Sequence, residues 1–370
     1  MAKKIKEEEK VMTPSEQLEA ILQANKSDHY NFEKTISYKV SSGSLLFDAE
    51  INGGIEPGSH RFLGSREAGK TSCALEFARN FQLTVPNSCV VYIKAEGRFN
   101  DNVKVRSGLN FDKDRFMLIE SNIYEFVIDL IRTLVHENPN ETRYMFIVDS
   151  LDGLITKAEN EKTSEESIQP GTAGRMTSQM FKKISLSLSK RGHIGIFVSQ
   201  ERAQIDIDKY GPKAQKQGNS AGGNAIQHFV DFAFEFQTAN KADYFYEDQE
   251  AQKGRVLGKM CKVRFHKTTN EKTNTVIQYP IRWGRTGGNS IWKEKEVADV
   301  LIQFEIAKKS GKGIALDLTS DFVKDWKTKY PDVFKEDFTY IKTFYNYLEN
   351  NPEMSLYLWN KLRETLISPN

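Results

Sequence analysis

The sequence predicts an α/β fold: a mainly parallel central sheet flanked by helices, preceded by an N-terminal helix and strand arm and followed by a small C-terminal helical domain. Three observations predict it. Short unbroken apolar runs such as SCVVYIK (88–94), YMFIV (144–148) and IGIFV (194–198) alternate with amphipathic stretches, and strands apolar on both sides belong in a sheet covered on both faces. A glycine-rich turn, GSREAGKT, joins a short strand to a helix. Beyond about Gly287 the pattern changes to helical, Lys-rich and aromatic sequence, and 370 residues exceed one typical domain.

The elements follow in order. Thr13-Pro14 with Glu16 is a helix start, and Leu18, Ile21 and Leu22 share a face, so residues 11–27 read as a short helix. Residues 35–40 alternate as a strand, and 58–63 form another before the glycine-rich turn. A helix over 72–81 leads to strands at 88–94 and 117–120. The next helix, 123–136, carries Phe126, Leu130, Ile131 and Leu134 on one side. The strand 144–148 closes on Asp149-Ser150. A long helix, 174–191, repeats Met176, Met180, Ile184 and Leu188 at steps of four, a core stripe. Strands at 194–198, 230–236, 259–265 and 275–281 complete the sheet. Phe338, Ile341, Phe344, Tyr345 and Leu348 form one late helical face, and Leu356, Trp359, Leu362 and Leu366 another. The expected units are an arm (1–40), a core (41–288) and a C-terminal domain (289–370).

Composition narrows the function. Apolar residues are 39% and charged residues 28%, ordinary for a globular chain and unlike a disordered one. No apolar run reaches the length of a membrane span, so no membrane partner is expected. The charged stretch MAKKIKEEEK is not a secretory signal, and Cys73, Cys89 and Cys261 are too scattered for a disulfide framework or a metal site, which points to a reducing, cytoplasmic compartment. The balance of 52 Lys and Arg against 50 Asp and Glu argues against coating of nucleic acid by bulk charge but does not exclude a local basic track.

Four motifs carry chemistry. GSREAGKT fits G-x-x-x-x-G-K-[ST]: the glycines turn backbone N–H groups toward phosphate oxygens, and the following helix adds the positive end of its dipole. Gly64, Ser65, Arg66, Glu67, Ala68, Gly69, Lys70, Thr71 and Ser72 are the expected cofactor-binding residues. Lys70 would reach the β- and γ-phosphates and Thr71 would ligate Mg²⁺. Asp149, ending an apolar strand, would hold the metal through its water shell. Glu96, just past another strand, would orient or deprotonate the attacking water, although taken alone a solvated loop acid is the favoured reading. Gln200, at a third strand end, would contact the γ-phosphate and pass its loss to the long loop 201–220. There Lys209, Lys213 and Lys216 surround Tyr210, as contact with single-stranded DNA requires, although a plain surface loop fits equally. The acidic loop 159–170 argues against phosphate contact.

In this order the pieces resemble the RecA/RadA recombinase family, closest to RecA and its phage-encoded relatives, over about residues 42–288. SSGSLLFD with GGIEPG, GSREAGKT, YIKAEGRFN, MFIVDSLDGL, GRMTSQMFKKI, IFVSQERAQI and SAGGNAIQHFVDFAFEF each resemble a family segment. The resemblance implies a RecA-like P-loop NTPase core, with ATP and Mg²⁺ as cofactors, that polymerises into a helical homo-oligomer filament on single-stranded DNA. It implies a DNA-dependent ATPase that pairs that strand with homologous duplex DNA and exchanges strands. A single-strand-binding protein and a loading mediator are further implied partners, and bacterial or host cytoplasm the implied location. Glu96 becomes the catalytic carboxylate, Gln200 the γ-phosphate sensor and Lys267 a cation reaching the neighbour's ATP. Loops at about 159–171 and 206–220 face DNA, with Arg175, Arg202, Gly222, Gly223 and Asn224 beside them. Residues 11–40 would dock on the neighbouring core. Thr269 stands where the family has a second cation, Asp101-Asn102-Val103 where it has an adenine-contacting aromatic, and RETLISPN where bacterial RecA has an acidic tail; these departures suggest a phage-type protein. A ring helicase or translocase on the same core, a mediator with weak ATPase, and a nucleotide switch unrelated to DNA remain alternatives.

Overall fold

The computed structural model describes residues 12–34, 36–161, 172–202, 219–220, 225–248 and 251–367. Helix α1 (Pro14–Ala24) starts at a capping box: the Thr13 hydroxyl accepts the Glu16 N–H at 3.3 Å and the Glu16 carboxylate accepts the Thr13 N–H at 2.7 Å. Its apolar stripe is present but buries nothing, with Leu18 57% and Ile21 60% exposed.

The strand expected over 35–40 is not formed. Residue 35 lies outside the described residues, and only Val40 makes a bridge, to Ile55. Side chains rather than a ladder hold this segment. The Tyr38 hydroxyl donates to Gly192 O at 3.0 Å, and Ile36 covers Gly192, where a Cβ would come within 2.6 Å of it.

The core then runs α2 (Leu45–Glu50), β1 (Gly58–Gly64), α3 (Lys70–Thr84), β2 (Ser88–Lys94), α4 (Asp101–Ser107), β3 (Phe116–Glu120), α5 (Tyr124–His136) and β4 (Arg143–Asp149). It continues with α6 (Lys157–Glu161), α7 (Thr172–Lys190), β5 (Ile194–Arg202), β6 (Asn219–Ser220), α8 (Ala225–Phe229), β7 (Phe232–Gln237), β8 (Tyr244–Asp248), β9 (Lys253–Lys267) and β10 (Val276–Arg282). A ten-stranded sheet results, in the order β10-β9-β7-β1-β5-β4-β2-β3, with β6 beside β5 and β8 beside β9. Along that order the strands from β7 to β3 are all parallel; β6 pairs antiparallel with the end of β5, and β8, β9 and β10 add an antiparallel flank.

One face of the sheet packs Phe62, Phe234 and Phe236 against Phe47 of α2 and Phe77 of α3. The other packs Phe146 and Phe197 under α5 and the Met176, Met180, Ile184 and Leu188 stripe of α7. Helix α5 buries Ile131 of the expected stripe and packs Leu130 and Leu134, half-buried, against the same cluster, but its inward face is centred one step over. Tyr124, Val127, Ile128, Ile131 and Val135 are buried, whereas Phe126 is 45% exposed. Two apolar stripes satisfy helical spacing there, and contact with α7 and the sheet selects between them.

The remainder comprises α9 (Lys293–Gln303), β11 (Ala307–Ser310), β12 (Gly313–Leu316), α10 (Asp321–Lys329), β13 (Asp337–Phe338), α11 (Ile341–Asn350) and α12 (Pro352–Ile367). It is not purely helical, because β11-β12-β13 form an antiparallel sheet, and Phe338 lies in a strand rather than on a helix face. Helix α12 buries Met354, Leu358, Trp359 and Leu362 while Leu356 is exposed. This cluster also takes in Leu45 of α2.

At that junction Glu296 of α9 is fully buried, and its Oε1 accepts the Ser44 hydroxyl at 2.5 Å and the Leu46 N–H at 3.3 Å. Burial pushes its pKa up from 4.5 to about 7. A carboxyl raised in the folded state favours folding fully below its unfolded value and loses that contribution as pH rises through the folded one. Glu296→Gln cannot ionise. Its unfolding free energy relative to the parent is therefore expected to improve by roughly 2–3 kcal/mol between about pH 5 and pH 8. Denaturant unfolding at both pH values checks this; an unchanged difference would contradict it.

Candidate active site

The parallel strands bring their carboxyl ends to one rim, where open α/β sheets hold ligands. Register fixes which residues meet: Gly64 pairs with Gln200 across β1 and β5, and Lys94 pairs with Asp149 across β2 and β4. The glycine-rich turn leaves β1 at Gly64 (φ +139°) and enters α3 through Gly69 (φ +114°). Only glycine suits Gly64, since a Cβ there would stand 2.1 Å from Phe236 O. No side chain caps the first turn of α3, which leaves its N-terminal N–H groups for an anion.

Lys70 is buried (7% exposed), and its ammonium donates to Gly64 O at 2.8 Å and Ser65 O at 2.6 Å. The Thr71 hydroxyl donates to Asp149 Oδ2 at 3.1 Å. The same oxygen accepts the Tyr92 hydroxyl at 2.5 Å and the Lys94 ammonium at 3.1 Å. Burial first, and then Asp149, raise the Tyr92 phenol far above its ordinary pKa, so it stays a donor. Glu96 Oε1 accepts the Ser150 hydroxyl at 2.9 Å, and its Oε2 accepts Gln200 Nε2 at 3.3 Å. Gln200 Oε1 in turn accepts Arg66 Nε at 3.3 Å. Arg66, Lys70, Thr71, Glu96, Asp149, Ser150 and Gln200 line a cleft of about 220 Å³.

Lys70, Thr71, Glu96, Asp149 and Gln200, read separately from the sequence, thus meet in one place. Other expected residues do not join them. The Ser72 side chain faces a small cavity with Cys73 and Glu76, because one helical step turns it off the cleft. Lys267 stands opposite Ala233 in the antiparallel flank, its ammonium 3.3 Å from His228 O and away from the cleft. Arg175 is exposed on α7, and Arg202 ends β5 opposite Asn219. Lys209, Tyr210, Lys213, Lys216, Gly222, Gly223 and Asn224 lie outside the described residues.

Sequence reasoning missed Tyr92, Lys94, Asp152 and Arg61. Asp152 Oδ2 accepts the Gln200 N–H at 2.7 Å. Arg61, 1% exposed within β1, donates to the Ser199 hydroxyl at 3.1 Å, and burial pushes its pKa down to about 10 against the opposing pull of Asp152. The available signal for Arg61 was a charge in the middle of the short strand that leads into the glycine-rich turn. For Lys94 it was a cation two residues before a rim carboxylate.

The model of the RecA N-terminal domain matches residues 18–278. Protein RecA of Rickettsia africae is 23% identical over 304 residues, covering 80% of this chain and 81% of the relative. Protein RecA of Lactobacillus acidophilus is 25% identical over 304 residues, covering 80% and 77%. A crystal structure of the RadB recombinase is similar with a TM-score of 0.46 and 15% identity, covering 68% of this chain and 98% of that one. Among the described residues no helix is long and apolar enough to cross a membrane.

Proposed function

The chain belongs to the RecA family, whose members are DNA-dependent ATPases acting in recombination, and from that premise we propose that it is an ATP-dependent homologous recombinase that polymerises on single-stranded DNA and catalyses homologous pairing and strand exchange. One observation carries this reading: Lys70, Thr71, Glu96, Asp149 and Gln200 converge on a single cleft at the carboxyl rim of the sheet.

The turn 64–71 and the start of α3 bind the phosphates. Lys70, held by two carbonyls of the turn, needs only a small swing to reach the β- and γ-phosphates. Thr71 and Asp149 supply hard oxygens 3.1 Å apart, a donor set that suits Mg²⁺. Such a site draws its remaining ligands from phosphate and water. It therefore needs no group of three or more His, Cys, Asp or Glu, and the described residues hold none. Bound magnesium would offset charge on the transferring phosphoryl oxygens. Glu96, fixed by Ser150 and Gln200, positions and deprotonates the attacking water. Gln200 senses the γ-phosphate and links it to the loop beyond β5, where DNA binding is proposed. Lys267 is left to act on a neighbour's nucleotide across a subunit seam.

The test is phosphate release with and without single-stranded DNA, together with electron micrographs of the protein on that DNA with a slowly hydrolysed ATP analogue. DNA-stimulated release and long helical filaments are expected. Closed rings would replace this reading with a helicase or translocase. Nucleotide binding without DNA stimulation would replace it with a mediator.

A further inference from the structure

We propose that Lys94 is a built-in competitor for the divalent cation at this site, setting how much Mg²⁺ the nucleotide pocket demands. The proposal rests on the reading of the cleft as a Mg²⁺–nucleotide site and adds to it the device that tunes its metal affinity.

Lys94 is the last residue of β2, placed in register with Asp149 by the parallel ladder. Its ammonium lies 3.1 Å from Asp149 Oδ2, and the two side chains are only 17% and 9% exposed, so water screens the pair far less than a surface ion pair. The Thr71 and Tyr92 hydroxyls donate to that same oxygen. The carboxylate assigned to the metal therefore already carries a full counter-charge from its own chain. A divalent cation held through water on Asp149 stands within a few ångströms of that ammonium and is repelled by it. It must also share or displace the ammonium's hold on the carboxylate. Removing the charge at position 94 relieves both effects, so the site should take up metal at lower concentration. If Lys94 merely supported the fold, its removal would change stability and leave metal demand alone.

The experiment uses the full chain with Mn²⁺ as a paramagnetic probe and ADP, which allows no turnover. Free Mn²⁺ is read by electron paramagnetic resonance. Lys94→Met should lower the half-saturating Mn²⁺ concentration by about tenfold, whereas Lys94→Arg, which keeps the charge, should match the parent. In a chain that also carries Asp149→Asn the competition for the carboxylate is gone and only the direct repulsion remains, so Lys94→Met should tighten uptake less than it does in the parent. Unchanged or weaker Mn²⁺ uptake by Lys94→Met overturns the proposal, as does equal tightening when position 149 is Asn. Binding of a fluorescent ADP analogue without metal verifies that the variant is folded, and Lys94→Gln replaces Lys94→Met if it is not. If the parent itself shows no ADP-dependent Mn²⁺ uptake, the reading of the cleft fails in that arm alone and takes this proposal with it.

Discussion

Lys70→Ala is expected to weaken ATP and ADP binding at least a hundredfold and to bring hydrolysis to background. Two charge-assisted hydrogen bonds to phosphate, each contributing about 1.5–3 kcal/mol, account for a loss of that order, since about 1.4 kcal/mol corresponds to tenfold. The geometry makes the loss hard to compensate. Lys70 is held at the mouth of α3 by Gly64 O and Ser65 O, so its ammonium is already close to where the phosphates must lie. Arg66, the nearest other cation lining the cleft, donates to Gln200 on the opposite wall. Removing Lys70 also takes a donor from both turn carbonyls, so a modest drop in thermal stability should accompany the loss. Titration calorimetry separates the two effects, because a variant that is folded at the assay temperature and still binds no nucleotide has lost the phosphate contact itself. Binding within tenfold of the parent would remove Lys70 from the proposed role.

Some of this site was legible in the sequence because its parts are local. The turn 64–71 announces itself through glycines required by positive φ at Gly64 and Gly69 and by the close approach of Phe236 O. The strand 88–94 is apolar on both faces and was readable residue for residue, as was the Met176 to Leu188 stripe. What could not be read depends on neighbours distant in the chain. The inward face of α5 is chosen by α7. The stretch before Val40 has strand alternation but no ladder, because side-chain contacts with Gly192 hold it instead. The small sheet after residue 306 joins very short strands embedded in helical, Lys-rich sequence. Lys94 and Asp149 become partners only through the register of two strands separated in sequence by α4, β3 and α5. Arg61 acquires a role only once β1 and β5 stand side by side and Asp152 folds over their ends.

Glu96→Gln is expected to bind Mg²⁺–ATP within about threefold of the parent while turning over at least a hundredfold more slowly, the usual scale for loss of a general base. The substitution is nearly isosteric, and its amide oxygen can still accept the Ser150 hydroxyl that now lies 2.9 Å from Oε1. What it cannot do is take a proton from water. The carboxylate is positioned from three sides: by Ser150, by Gln200 Nε2 at 3.3 Å, and by the missing side chain of Gly153, where a Cβ would come within 2.5 Å of Glu96 Cγ. Gln200 is fixed in turn, its N–H donating to Asp152 at 2.7 Å. That chain of contacts ties the proposed water-activating group to the proposed γ-phosphate sensor, so the variant should do more than stop phosphate release. With the triphosphate retained, the state that grips DNA should persist, and filaments on single-stranded DNA should outlast those of the parent after free ATP is removed. Stopped-flow phosphate release and time-resolved light scattering measure the two effects separately. Slow release with a normal filament lifetime would show that Glu96 works on water but that its contact with Gln200 does not carry the signal to DNA; turnover within tenfold of the parent would take Glu96 out of the chemistry altogether.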